Sequence, residues 1–262
     1  MDLKYRKYGS GPAIVLLHGL FGLGDNWVTI ARGLEKNHTV YAPDLRNHGF
    51  SPYDNAMTYD AMASDVEMFL ETHQIQNPLL IGHSMGGKVA MQFCAENPEV
   101  PAGLIVLDIS PLKYQARPEH LKILNAMQQI NLEKYFSRND IQAAVNQHIE
   151  NIKIRQVVMK NLVRTDQGFY RWKPNVAVIR QEIDALFAAV RRPEKPLPFP
   201  VLFIQGGDSD YLGEADRQEI LDFWSAKIIT LPGASHWLHA EAPERVLSEI
   251  NKFSIALNSA EY

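Results

Sequence analysis

The 262-residue chain holds one cysteine, Cys94. No disulfide can close within it, which fits a reducing compartment, and the cytoplasm is the expected location. Zinc sites built on several thiolates are excluded as well. Basic charge is scarce: 26 Lys and Arg stand against 30 Asp and Glu, a formal net charge of −4. That leaves no field for a phosphate backbone or an anionic bilayer, so neither nucleic acid nor membrane is an expected partner. The longest apolar run before a glycine, Ala13 to Leu17, falls far short of the roughly 20 residues that span a bilayer. The start, Met1 to Arg6, alternates polar and apolar side chains and does not read as a signal peptide.

What the chain does have is a rhythm. Short apolar runs recur at Ala13 to Leu17, Thr39 to Ala42, Leu79 to Ile81, Leu104 to Leu107, Val201 to Ile204 and Lys227 to Leu231, each closed by a Gly, Pro or Asp. Runs without alternation are strands covered on both faces, and helical stretches between them imply a mostly parallel sheet. Leu3 to Tyr8 alternates instead and reads as an antiparallel edge strand. From Pro111 to Val190 the rhythm stops. Helical patterns such as Leu121, Leu124, Met127 and Ile141, Val145, Ile149 follow with no strand between them. A Pro-rich stretch, Arg192 to Pro200, leads back to the sheet as a stiff linker. The expected organisation is a core of residues 1–110 and 191–262 with a helical cap at 111–190.

Gly82-His83-Ser84-Met85-Gly86-Gly87 stands between an apolar run and a helical pattern. This is G-x-S-x-G in a strand–turn–helix setting, which presents a serine hydroxyl above the carboxyl edge of a sheet. The Met85 amide, at the start of the helix, is then placed to meet a developing oxyanion. Such a turn resembles the nucleophile elbow of the α/β-hydrolase fold, which puts a second donor after an earlier strand. Here that is His18-Gly19-Leu20-Phe21-Gly22, with the Leu20 amide as first candidate and Phe21 as the alternative.

A serine hydroxyl needs a base. Among nine histidines, His236 stands in a loop after the last apolar run, where it can reach over Ser84. His83 adjoins the serine but points away from it, His239 reads as a packing or capping residue, and His18 and His48 read as structural hydrogen-bonders. The acid has three candidates. Asp108 ends one strand, while Asp208 and Asp210 lie in a later turn. A carboxylate at a buried strand end is costly without a partner, which favours Asp108; the other two suit a turn.

A Walker-type reading of Gly82 to Lys88 fails at Val89, which has no oxygen for Mg²⁺. His236-Trp237-Leu238-His239 is too short a pattern for a metal centre.

The chain resembles bacterial esterases of the YbfF type and their mitochondrial relatives, the ABHD-eleven hydrolases. The resemblance rests on His18 to Gly22, Asp44-Leu45-Arg46-Asn47-His48-Gly49-Phe50-Ser51-Pro52, Gly82 to Lys88, Asp108 to Pro111 and His236-Trp237, with a looser match at Trp172 and Asn175. It implies an eight-stranded, mostly parallel sheet flanked by helices, with an inserted cap. It also implies a Ser84–His236–Asp108 triad, although Asp208 and Asp210 are departures that keep the choice of acid open. The implied activity is hydrolysis of short acyl esters, with thioesters such as acyl-CoA as a further class. The expected partner is a small-molecule ester or thioester, the expected state a monomer or small homo-oligomer, and neither metal nor organic cofactor is expected. Asp44, Arg46 and His48 are expected to brace loops, and the cap aromatics Tyr135, Phe136, Phe169, Tyr170 and Trp172 either to offer an apolar acyl pocket or to pack the cap's own core.

Overall fold

The computed structural model describes residues 1–258; residues 259–262, the end of the segment assigned to the core, lie outside it. The first half runs β1 (Tyr5–Tyr8), β2 (Ala13–Leu17), α1 (Val28–Leu34), β3 (Thr39–Pro43), α2 (Tyr59–Thr72), β4 (Leu79–His83), α3 (Met85–Glu96) and β5 (Gly103–Leu107). An insertion follows: α4 (Pro118–Gln129), α5 (Arg138–His148), α6 (Ile152–Lys160), β6 (Leu162–Arg164), β7 (Tyr170–Trp172), α7 (Val176–Gln181) and α8 (Ile183–Leu186). The chain then returns with β8 (Val201–Gly206), α9 (Glu214–Trp224), β9 (Lys227–Leu231), α10 (Leu238–Glu241) and α11 (Pro243–Asn258).

Seven strands form the main sheet, in the order β1-β3-β2-β4-β5-β8-β9. Only β1 is antiparallel, with Tyr5 opposite Pro43. The expected eighth strand is absent among the described residues. The chain contains only seven suitable runs, and the four residues 9–12 between β1 and β2 leave no room for another. The insertion also departs from expectation. It carries a two-stranded hairpin, β6 with β7, where Leu162 pairs with Trp172. Three-residue strands are too short to produce a period that can be read.

Alternation along the buried strands divides the core between the two faces of the sheet. Val15 and Leu17 of β2 pack with α2 and α3, while Ile14 and Leu16 pack with α1 and α11. Each such side chain stabilises the fold by roughly 1.5–3 kcal/mol on burial. Ile123, Leu124 and Met127 of α4 and Ile141 and Val145 of α5 join the first cluster, so the insertion shares apolar packing with the sheet's helices. At its two roots the Val190 amide donates to the Pro111 carbonyl at 2.9 Å and the Tyr114 amide to the Phe187 carbonyl at 3.0 Å. Residues that follow β2, β4, β8 and β9 line one cavity together with Ile123 of α4 and Ile154 of α6.

Candidate active site

Ser84 joins β4 to α3 with φ 51° and ψ −120°, a region that non-glycine residues occupy only when their surroundings over-determine it. The surroundings do so. Its amide donates to the Leu107 carbonyl at 3.0 Å and its carbonyl accepts from the Lys88 amide at 3.1 Å. The flanking glycines are required by close approach. A Cβ on Gly82 would lie 2.2 Å from the Gly86 carbonyl oxygen, and one on Gly86 would lie 2.2 Å from that of Leu17. Ser84 is therefore held at the entrance of α3, beneath a first-turn amide, that of Met85, with no acceptor among the described residues.

His236 follows β9, and its Nδ1–H donates to Asp108 Oδ2 at 2.8 Å. That bond fixes the tautomer and leaves Nε2 as the acceptor. Asp108 is fully buried and has φ 51°, which turns its carboxylate across the end of β5. Its charge is satisfied three ways: the Gly206 amide donates to Oδ1 at 2.9 Å, and the Ser209 hydroxyl and His236 both donate to Oδ2. The other two acidic candidates line the same cavity but make no hydrogen bond to His236. Asp208 is exposed, and Asp210 pairs with Arg117 at 2.5 Å.

The loop after β2 is held from three sides. His18 Nδ1–H donates to the Gly19 carbonyl at 2.9 Å while its Nε2 accepts from the Leu45 amide at 2.9 Å. His48 Nε2 accepts from the Phe21 amide at 3.2 Å. Asn161, reaching down from the insertion, donates to the Phe21 carbonyl at 2.7 Å. Phe21 itself sits at φ 60°. Its amide is committed to His48, whereas the Leu20 amide has no acceptor among the described residues. Burial pushes His18 down to about 4 and His48 down to about 3, so both stay neutral near pH 7 and can accept at Nε2. The other bracing residues act as expected: Asp44 accepts from the Gly24 and Phe50 amides, and Arg46 grips Asp65 through Nε at 2.6 Å and Nη2 at 2.9 Å.

Ser84 and His236 line one cavity of about 360 Å³ with Leu20, Phe21, His120 and Tyr211. None of the five cap aromatics lines it. Phe136 and Phe169 are exposed, and Trp172 is turned inward with its indole N–H donating to the Met127 carbonyl at 2.9 Å. The apolar wall comes instead from Ile123, Ile154, Tyr211 and Trp237. His83, beside Ser84, lines the same cavity with its ring centroid 4.7 Å from that of His236, and it has a task. Its Nε2–H donates to the His236 carbonyl at 2.8 Å, securing that loop.

Sequence reasoning missed Tyr211, Ser209 and Asn161. Ser209 stood beside two more conspicuous aspartates, and Asn161 carried no local motif. No group of three His, Cys, Asp or Glu able to hold a metal occurs among the described residues, and no helix there is long and apolar enough to cross a membrane.

Comparison with known proteins accords with this geometry. A family model described as the alpha/beta hydrolase family matches residues 14–249. An sn-1-specific diacylglycerol lipase of Xenopus laevis is 37% identical, over 97% of this chain and 84% of the relative. The esterase YbfF of Escherichia coli is 36% identical, over 94% of each chain. A solved structure of a marine microorganism esterase superposes with a TM-score of 0.93 at 38% identity, covering 96% of this chain and 99% of the other. The chain belongs to the alpha/beta hydrolase family.

Proposed function

We propose that this protein hydrolyses small carboxylic esters through an acyl-enzyme on Ser84, with thioesters as a second class open to the same chemistry. The observation that carries this reading is the 2.8 Å bond from His236 Nδ1 to buried Asp108, at the wall of the cavity that Ser84 lines. Ser84 Oγ attacks the substrate carbonyl carbon while His236 Nε2 takes its proton. The carbonyl oxygen becomes an oxyanion and rests on the Leu20 and Met85 amides. When the tetrahedral adduct collapses, the bond to the alcohol breaks and the alcohol leaves with the proton from His236. Water then enters, gives its proton to His236 and attacks the acyl carbon, and Ser84 regains the proton as the acid departs. Asp108 keeps the imidazole in the right tautomer and balances its transient charge.

Residues 111–190 act as the cap in this scheme, with α4 and the start of α6 closing the cavity from above. A volume of about 360 Å³, at the lower end for small-molecule sites, favours short acyl chains. The names borne by the relatives, an esterase and an acylglycerol lipase, support the ester class. The test is hydrolysis of p-nitrophenyl acetate and butyrate by wild type and Ser84→Ala. Turnover lost in the variant is expected. Equal turnover in both proteins would remove Ser84 from the mechanism.

A further inference from the structure

His83 ends β4 beside the nucleophile and is only 2% exposed, yet it lines the cavity that holds Ser84. Its Nε2 lies 2.8 Å from the His236 carbonyl. A carbonyl only accepts, so Nε2 carries the proton, and the other nitrogen of a neutral imidazole is then an acceptor. The ring is neutral: burial first, then the neighbouring His239 and His236, hold its pKa well below the ordinary 6.5. No described residue donates to Nδ1, and this atom is not sealed off as the Nδ1 atoms of His38 and His239 are. Gly19 marks its position. A Cβ there would lie 2.9 Å from His83 Nδ1 and 3.2 Å from Ser84 Cβ, so the lone pair and the nucleophile flank one bare stretch of backbone.

We infer that His83 Nδ1 holds the water that releases the acyl group, which makes His83 a second histidine acting in deacylation. The inference rests on the proposed function, in which an ester of Ser84 waits for water. A water molecule has two O–H bonds. His236 Nε2 takes the proton of one as the oxygen attacks the acyl carbon, while the other bond stays intact and donates to His83 Nδ1. The bond from carbon to Ser84 Oγ then breaks, Oγ takes the proton from His236, and the acid leaves with the second hydrogen. The two imidazoles lie 4.7 Å apart between centroids, and both line the cavity that Ser84 lines. An ordered water needs two or more such partners. Other acceptors on that wall are engaged or exposed. Ser209 and Ser235 accept from the Tyr211 and Trp237 amides, Asp210 accepts from Arg117, and Glu119 and Asp208 face solvent.

Methanol in place of water has a single O–H, which His236 must take, and it turns a methyl group toward Nδ1. The experiment therefore measures how the acyl-enzyme partitions. p-Nitrophenyl butyrate is turned over at a fixed methanol concentration, and butyrate and methyl butyrate are quantified by gas chromatography, for wild type, His83→Gln, His83→Phe and His83→Asn. The product ratio does not depend on the fraction of folded enzyme or on the rate of acylation. Glutamine keeps an N–H for the His236 carbonyl but loses the acceptor. Phenylalanine keeps the ring and loses both nitrogens, and asparagine puts an oxygen near the Nδ1 position. The ratio of butyrate to methyl butyrate is expected to fall about fivefold in His83→Gln and His83→Phe, the worth of one neutral hydrogen bond, and to stay near wild type in His83→Asn. A merely structural role would slow attack by water and by methanol alike. A ratio equal to wild type in His83→Gln or His83→Phe, an equal fall in all three variants, or methyl ester undetectable throughout would overturn this inference alone. No turnover by wild type, or turnover undiminished in Ser84→Ala, would overturn the ester-hydrolase reading and this inference with it.

Discussion

Tyr211 lies face to face with His236, the ring centroids 3.7 Å apart and the planes within 11°. The Arg117 guanidinium stands 3.7 Å from the centroid of the same tyrosine. At that distance it must occupy the opposite face, which makes a three-layer stack of Arg117, Tyr211 and His236. Stacking leaves the imidazole free to hydrogen-bond in its plane but prevents it from tilting. Tyr211→Ala is therefore expected to lower kcat for p-nitrophenyl butyrate by about tenfold, as misplacement of a catalytic group does. Tyr211→Phe should retain activity, since the ring supplies the stack. A raised KM with unchanged kcat in Tyr211→Ala would make the ring a substrate contact instead.

The acid can be assigned by substitution. Asp108→Asn keeps the shape but loses the charge, and its amide can turn an N–H toward His236, favouring the wrong tautomer. A fall in kcat on the order of 10²–10⁴ is expected, by analogy with the serine-protease triad. Asp208→Asn and Asp210→Asn should stay within about threefold of wild type, since both keep their shape and neither carboxylate hydrogen-bonds His236, although both line its cavity. Steady-state kinetics on all three variants checks the assignment. A collapse in Asp208→Asn or Asp210→Asn with Asp108→Asn active would reverse it.

The layout of the fold was legible because buried strands leave unbroken apolar runs and the serine turn needs glycines at fixed spacing. Gly82 and Gly86 each face a carbonyl oxygen 2.2 Å from where a Cβ would sit, so the chain itself records the turn. Asp108 was legible on energetic grounds, as a carboxylate at a strand end that has to find partners. The supporting contacts were not. Asn161 lies 140 positions from Phe21, and no local periodicity encodes a bond across that separation. The cap aromatics left pocket and core packing both open for a related reason. Composition counts rings but says nothing of direction, and Phe136 and Phe169 point outward.

Asn161 invites the next test. Buried completely, it donates to the Phe21 carbonyl at 2.7 Å and the Val157 carbonyl at 3.0 Å. Asn161→Leu leaves both carbonyls unmatched and frees the loop that carries the Leu20 amide. A fall in kcat of about tenfold is expected, less than removal of an oxyanion donor itself. Binding of a boronic acid, which mimics the tetrahedral adduct, should weaken by a similar factor while KM holds. If thermal stability falls but boronate affinity does not, Asn161 serves packing alone.

Lys88 offers a test by pH. Its Nζ donates to the Leu112 carbonyl at 2.6 Å and the Ala188 carbonyl at 2.5 Å, next to the two roots of the insertion. Burial pushes its pKa down to about 7. A neutral amine still has two N–H groups, enough for both carbonyls. Between pH 7 and the ordinary lysine value near 10.5, the unfolded chain holds the proton and the folded protein does not. The unfolded state then binds more protons, so stability rises with pH across that window and levels off below it. Lys88→Met removes this dependence. The melting temperature of wild type minus that of Lys88→Met is therefore expected to increase from pH 7 to pH 9. A difference that stays flat would mean that the folded protein keeps Lys88 protonated, with the insertion's roots clamped by an ammonium ion rather than an amine.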